Sequence, residues 1–273
     1  MQESAGSGKL LQVVQFTDTH FFAAEDARLM GVDTSATFQQ VVQLAAEQQQ
    51  SPDFYLLTGD LSQDETEGSY IRFSKAIDNL KAAPAYYLPG NHDSRHHMVK
   101  AFSNTNTNFR HEKSFVAGDW HIILLDTQVP GEVHGHLSSD ELSHLKSSLQ
   151  AYPNLHTLVT LHHHPVPVGS KWIDQISVDN GEEFLAVIDN FPQVRGVLCG
   201  HIHQQFEMRR KDVSFMGSPS TCVQFKPKSS EFALDAVPPG YRWLHLHPDG
   251  KIESEVARVS SIAAGLDLAS AGY

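Results

Sequence analysis

Five short apolar runs in this chain each stop at a cluster of Asp, Asn or His side chains, and this repeated punctuation restricts the fold more than any other feature. Leu10–Phe16 is followed by Asp18-Thr19-His20, Phe54–Leu57 by Gly59-Asp60, and Ala85–Leu88 by Gly90-Asn91-His92-Asp93. Farther on, His156–Leu161 leads into His162-His163-His164-Pro165, and Val194–Cys199 into Gly200-His201-Ile202-His203. The runs have the length of buried strands. Between them, apolar residues recur at helical spacing. Phe38, Val41, Val42 and Ala45 predict a helix over roughly 34–50. Tyr70, Phe73, Ile77 and Leu80 predict a second, and Phe184, Val187, Ile188 and Phe191 another. Ser138 with Glu141 three residues later is a capping-box pattern that opens a helix through Leu142, Leu145 and Leu149. Residues 94–102 suit a short helix, and Trp120–Leu125 a strand with Lys113–Val116 beside it. Strands alternating with helices imply an α/β sheet, in which ligands bind beyond the carboxyl ends of the strands.

The pattern changes after about Gln204. Phe206–Met208 and Val213–Phe215 read as hairpin strands, and Tyr241–His247 and Lys251–Val259 flank the turn signal Pro248-Asp249-Gly250. The prediction is a layered α/β fold whose sheet, or pair of sheets, is finished by C-terminal antiparallel hairpins. With 273 residues the chain suffices for one large domain over 1–273, with 1–9 and 261–273 as flexible ends.

A formal net charge of -12, with no Lys/Arg-dense stripe to neutralise a row of phosphates, argues against a nucleic-acid polymer as partner. It leaves room for a small anionic substrate, since bound metal ions supply local positive charge. Of the two cysteines, Cys199 closes an apolar run and reads as a buried reduced thiol, so no disulfide framework is expected. Met1–Lys9 is polar, and no run approaches the roughly 20 apolar residues of a membrane span. A cytoplasmic protein without a membrane partner is expected; monomer and homodimer remain open.

In extended backbone, residues i and i+2 point the same way, so Asp18 and His20 are expected to grip one ion together, and His201 and His203 adjacent ions. Glycines 59, 90 and 200 let the backbone turn sharply and approach the ions. Carboxylate, imidazole and amide oxygen suit first-row metals such as Mn, Fe(II), Co or Zn. Seven donors are too many for one four-coordinate zinc. Two ions sharing a carboxylate, about 3.5–4 Å apart, fit better. Among the remaining histidines, His96 and His97 read as helix surface, His245 and His247 as solvent-facing on a strand, and His134 and His136 as structural members of a Gly-containing loop. His163 and His164 are undecided neighbours of a ligand.

These five blocks resemble the calcineurin-like metallophosphoesterases, which are dinuclear phosphoesterases. The stretches 161–169, Trp172-Ile173-Asp174-Gln175, 198–204 and 220–227 further resemble the bacterial class III 3′,5′-cyclic AMP phosphodiesterases, over about Leu10 to Val259. The resemblance implies an α/β/β/α sandwich-like fold. It implies one metal held by Asp18, His20 and His203, a second by Asn91, His162 and His201, and Asp60 bridging them. His162 is taken from the three consecutive histidines because it comes first after the strand, where the resembled family places its ligand. Two Fe, Mn or Zn ions per chain are the implied cofactor. The implied reaction is hydrolysis of a small cyclic nucleotide, cyclic AMP to 5′-AMP, by a metal-bridging hydroxide. The expected substrate contacts are His20, Asp60, Asn91, His92 and His162. His92 is assigned to hydrogen-bond the phosphate or protonate the leaving oxygen, with Asp93 holding its ring. Phe21, Phe22 and Trp172 are candidates to stack on a purine, and Asp174 to meet sugar or base. Two other readings stay open: a phosphodiesterase for a 2′,3′-cyclic nucleotide or a glycerophosphodiester, and a non-catalytic scaffold.

Overall fold

The structure is a computed structural model that describes residues 8–48, 51–78, 80, 83–105 and 108–272. In chain order its elements are β1 (Leu11–Phe16), α1 (Thr34–Glu47), β2 (Phe54–Thr58), α2 (Glu67–Ile77), β3 (Ala85–Leu88), α3 (Arg95–Phe102), β4 (Phe109–Arg110), β5 (Ser114–Ala117), β6 (Trp120–Leu125), α4 (Ser139–Ala151) and β7 (His156–Leu161). There follow α5 (Lys171–Asp174), α6 (Gly181–Ile188), β8 (Val194–Cys199), β9 (Phe206–Arg210), β10 (Val213–Gly217), β11 (Gln224–Phe225), β12 (Leu234–Asp235), β13 (Gly240–Leu246) and β14 (Ile252–Arg258).

Two six-stranded sheets form, in the orders β14-β13-β1-β2-β3-β4 and β5-β6-β7-β8-β10-β9. The alternation of side chains along each strand dictates how they stack. β1 sends Leu11 and Val13 to one face, where they meet Phe54, Leu56, Leu244, Trp120, Ile122, Leu158 and Leu198 from both sheets. Its other face carries Val14 and Phe16, which pack with Phe38 and Val41 of α1 and Tyr70 and Phe73 of α2. Likewise Leu125, Leu161 and Cys199 of the second sheet face Leu145 and Leu149 of α4 and Phe184 of α6. The result is the expected α/β/β/α layering, with buried faces on both sides of each sheet. Helices α1, α2, α3 and α4 start on side-chain caps from Asp33, Thr66, Ser94 and Ser138. The capping box at Ser138 is only half made. Glu141 turns instead to Lys113 and to the backbone N–H of Asp126.

Strands β1, β2 and β3 run parallel, as do β6, β7, β8 and β10. The expected hairpins are β9–β10 and β13–β14. A short antiparallel pair, β11–β12, adds to them. Residues 261–272, expected to be flexible, are mostly exposed but make specific contacts. Ala263 is buried against Leu29, Val32 and Ile173, Leu266 packs on the same cluster, and Asp267 N donates to Met30 O at 2.9 Å. Residues 1–7, the rest of the chain expected to be flexible apart from Gly8 and Lys9, lie outside the described residues, as do the last two positions of the helix expected over 34–50.

Candidate metal centre

The carboxyl ends of β1, β2, β3, β7 and β8 converge where the two sheets meet, and each delivers its cluster to one buried site. The local backbone differs from the extended form expected for the i, i+2 pairs. Asp18 (φ 54°), His20 (φ 48°), Asp60 (φ 50°), His201 (φ 65°) and His203 (φ 48°) are all left-handed. This conformation is uncommon for residues with a Cβ and costs about 1–3 kcal/mol each, so it persists only where the surroundings enforce it. Here they do. Asp18 N donates to Gly59 O at 3.0 Å and His20 N to Asp60 O at 2.9 Å, and Ile202 N closes a tight turn onto Gly200 O at 2.7 Å. The His201 amide lies 3.0 Å from Asp18 Oδ1, which ties the two sheets together at the site. The three glycines are needed for close approach. A Cβ on Gly59 would lie 2.5 Å from His162 Nδ1, one on Gly90 2.2 Å from Asp60 Oδ1, and one on Gly200 2.1 Å from Thr17 Oγ1.

Asp18, His20 and His203 bring ligand atoms within 4.8 Å of one another, as do Asp18, Asp60 and His162, His20, Asp60 and His92, and His162, His163 and His201. His203 Nε2 is 3.3 Å from Asp18 Oδ1, and His162 Nε2 3.2 Å from Asp60 Oδ2. Asp60 therefore stands between the two expected ligand sets. The donors suit metal ions for a further reason. His162 Nδ1 donates to Thr58 O (2.7 Å), His203 Nδ1 to Val223 O (2.9 Å), His201 Nε2 to Ile176 O (3.1 Å) and His20 Nδ1 to Gln63 Oε1 (2.6 Å). With one ring nitrogen spent on a carbonyl, the other is left with a lone pair for a cation, the usual arrangement around metal-binding histidines. His162 Nε2 and Asn91 Oδ1 are buried without a hydrogen-bond partner, which is costly unless something else satisfies them.

The electrostatics point the same way. Burial opposes ionisation of Asp60, but His162 and His92 outweigh it and hold the carboxyl well below its ordinary range. Burial likewise opposes charge on His162, yet Asp60 lifts it to about 9. By contrast, burial drives His20 down to about 3 and holds His163 and His201 well below their usual value, the neighbouring imidazoles adding to the effect on all three. The carboxylates thus demand a cation, whether a proton on His162 or a metal ion.

Of the three consecutive histidines, His162 is the one whose Nε2 reaches Asp60. His163 is held through Nδ1 by Thr127 Oγ1 at 2.7 Å, and His164 Nε2 lies 3.4 Å from Asp174 Oδ1. Asp174 also accepts from the Val168 and Gly169 amides, so it braces a loop rather than facing a ligand. Asp93 departs from expectation as well. Its carboxylate accepts from Gly90 N (2.9 Å), Leu61 N (3.1 Å), Ser62 N (3.1 Å) and Tyr70 Oη (3.0 Å). No hydrogen bond joins it to His92 among the described residues. Three backbone amides outcompete one imidazole because Asp93 sits under the turn, clipping the loop after β3 to the loop after β2. Burial, then the charge of Asp60, pushes the Asp93 carboxyl up to about 7. The group near His92 Nδ1 is Gln63, at 3.3 Å. Gln63 also serves His20, a role its place three residues after Asp60 could have signalled.

A cavity of about 240 Å³ opens beside the site, lined by Asn91, His92 and His201 and by the aromatic Trp172, Phe225 and Phe232. Phe225 stacks on His203, ring centroids 4.1 Å apart and planes at 6°, and Trp172 meets Phe225 edge-on at 5.0 Å. Phe21 is fully buried among Phe38 and Phe73 and belongs to the core, and Phe22 packs on the cluster around Ile173. His97 caps onto Glu65 O, His136 pairs with Asp179, and His245 and His247 share Glu253, all away from the cavity lining. No helix among the described residues is long and apolar enough to cross a membrane.

A profile of the calcineurin-like phosphoesterase family matches residues 11–205. The chain is 43% identical over 270 residues to the 3′,5′-cyclic adenosine monophosphate phosphodiesterase CpdA of Vibrio vulnificus, covering 99% of this chain and 97% of that protein. It is 42% identical over 261 residues to CpdA of Pseudomonas aeruginosa, covering 96% and 94%. Among solved structures, a dimetal phosphatase from Danio rerio aligns with a TM-score of 0.64 at 13% identity, over 92% of this chain and 99% of that one. GAP50, the anchor in the inner membrane complex of Plasmodium, aligns with a TM-score of 0.59 at 14% identity, over 93% and 87%. An anchor and a phosphatase on one fold illustrate that such likeness speaks for the fold alone. The family match over most of the chain and relatives at this identity over nearly its whole length place the protein in the calcineurin-like phosphoesterase family.

Proposed function

We propose that this chain hydrolyses 3′,5′-cyclic AMP to 5′-AMP. The observation that carries the proposal is the coincidence of near-full-length similarity to CpdA phosphodiesterases with two donor sets flanking Asp60 at the mouth of an aromatic-lined cavity. Asp18, His20 and His203 would hold one divalent ion, and Asn91, His162 and His201 the other, with Asp60 shared. When bound, two such ions, Fe, Mn or Zn, would make water a nucleophile at neutral pH and offset the phosphate charge.

The remaining work falls to the chain itself. Asp60 Oδ1 accepts the backbone N–H of His92 at 2.9 Å, which fixes the His92 loop relative to the donors. His92 lines the cavity and lies edge-on to His20, ring centroids 5.3 Å apart. In this reading its imidazole hydrogen-bonds a phosphoryl oxygen or gives a proton to the 3′-oxygen as the P–O3′ bond breaks and the water oxygen bonds to phosphorus, the water's own proton passing to solvent. The aromatic wall of Trp172, Phe225 and Phe232 provides the apolar surface on which a base is desolvated. Asp93 positions the loop and does not touch the substrate.

The test is turnover of 3′,5′-cyclic AMP, 3′,5′-cyclic GMP, 2′,3′-cyclic AMP and glycerophosphocholine by protein loaded with Mn or Fe. The proposal predicts the highest kcat/KM for 3′,5′-cyclic AMP. A 2′,3′-cyclic nucleotide or a glycerophosphodiester outrunning it would overturn the substrate, and no turnover of any phosphodiester by metal-loaded protein would leave only a scaffold. His92→Ala with unchanged metal content should lower kcat/KM by about 100-fold; a change of only a few-fold removes His92 from the chemistry.

A further inference from the structure

We infer that the C-terminal segment 261–272 is a wall of the substrate cavity and limits the size of the group that can extend from the reacting phosphate. The segment is seated by specific packing. Ala263 and Leu266 join the cluster that also holds Ile173, Cys222, Val223 and Phe225, residues next to the aromatic face of the cavity. Asp267 N donates to Met30 O at 2.9 Å, and Ser270 N to Asp267 O at 3.1 Å. The tightest contact is between two glycines. Gly31 (φ 81°) and Gly265 (φ 83°) lie backbone to backbone: a Cβ on Gly31 would fall 2.1 Å from Gly265 O, and one on Gly265 2.5 Å from Gly31 O. Both positions combine a left-handed backbone with a contact that only hydrogen allows. This is the signature of a built docking site for the segment.

From that anchor the chain runs on until Gly272 lines the same cavity as Asn91 and His92. A glycine there presents backbone and no side chain to the cavity, so the segment bounds the space by its main chain. The cavity, about 240 Å³, is small beside the roughly 300–1,000 Å³ of most ligand pockets. Such a cavity suits one nucleotide and not a phosphodiester that continues as a chain. The wall is therefore a selectivity element for the substrate class, and this rests on the reading of the cavity given under Proposed function.

Gly265→Val in the full chain tests the inference, because the added side chain collides with Gly31 and cannot be accommodated at this φ. A chain ending at Ser260 is the second variant. Release of the segment is read by chymotryptic cleavage at Leu266 and Leu268, and metal content and melting temperature are compared with the unaltered chain. Activity is read on methyl 4-nitrophenyl phosphate, bis(4-nitrophenyl) phosphate and the 4-nitrophenyl ester of thymidine 5′-phosphate. Both variants should gain about ten-fold in kcat/KM on the largest ester relative to the smallest, a difference typical of a pocket wall. For cyclic AMP, KM should rise while kcat holds. An unchanged ratio of the esters, within about two-fold, in a variant whose segment is released overturns the inference, as does a parallel loss on all esters at normal metal content. If Gly265→Val leaves the segment protected, the shortened chain decides. Should the unaltered chain turn over aryl esters but no cyclic nucleotide, the proposed function fails, and the ester series still judges the wall.

Discussion

Replacing Asp93 by Asn separates two accounts of this residue. The carboxylate takes four buried donors: the amides of Gly90, Leu61 and Ser62, and the Tyr70 hydroxyl. Asn keeps one acceptor oxygen and turns an NH2 group toward donors, so about two of the four lose their partner. At about 1–3 kcal/mol for each buried donor left unsatisfied, the substitution costs about 2–6 kcal/mol. Part of this is returned because a buried charge beside Asp60 is removed, which leaves about 2–4 kcal/mol. For a chain of this size that is a fall of roughly 5–15 °C in melting temperature. The loops after β2 and β3 carry Asp60 and Asn91, so metal content should fall with stability. Urea and thermal unfolding at pH 8, where the native carboxyl is ionised, would be run beside metal analysis. Unchanged stability and metal content together with a large loss of kcat would refute the reasoning, and would show that Asp93 acts through His92 after all.

Other consequences follow from the same geometry. Gly59→Ala places a Cβ 2.5 Å from His162 Nδ1 at φ 90°; it should abolish tight metal binding while the helices persist, as read by metal titration and circular dichroism. Trp172→Ala removes part of the aromatic wall and should raise KM for cyclic AMP about ten-fold with kcat little changed, at about 1–3 kcal/mol for a stacked base. His121 is buried with neither ring nitrogen hydrogen-bonded, and burial, then His144, lowers it from 6.5 to about 4. The fold favours its neutral form, so this contribution to stability is complete above pH 6.5 and is lost as pH falls toward 4. His121→Phe should flatten the fall in melting temperature across that window, and an identical pH profile would exclude His121 as a cause.

Much of the site was legible in the chain because its grammar is local. An apolar run, a glycine and a polar donor mark a strand end wherever they occur, and parallel strands bring their carboxyl ends to one edge. That logic marks the clusters at Asp18, Asp60, Asn91, His162 and His201-His203 as candidates, and the family resemblance selects the ligands among them, His162 included. What stayed hidden depends on contacts between distant segments. The left-handed backbone at Asp18, His20, His201 and His203 is imposed by amides and carbonyls from neighbouring loops, and nothing in Asp-Thr-His or His-Ile-His announces it. Asp93 looked like the partner of the adjacent His92, but Leu61 and Ser62, about thirty residues earlier, claim its oxygens. Phe225 lies 22 residues from the His203 ring it stacks on, and the anchor for the C-terminal segment is a pair of glycines 234 positions apart, at 31 and 265. Composition made that segment look loose, because small residues hide a fit that depends on being small.

The central claim is that Asp60 is shared by two ions, each held by its own three donors. Manganese titration of metal-free protein, followed by mass spectrometry under native conditions, tests it most directly. The account predicts two equivalents in the unaltered chain and no more than one in Asp60→Asn. A single equivalent in the unaltered chain, or two retained in Asp60→Asn, would contradict it.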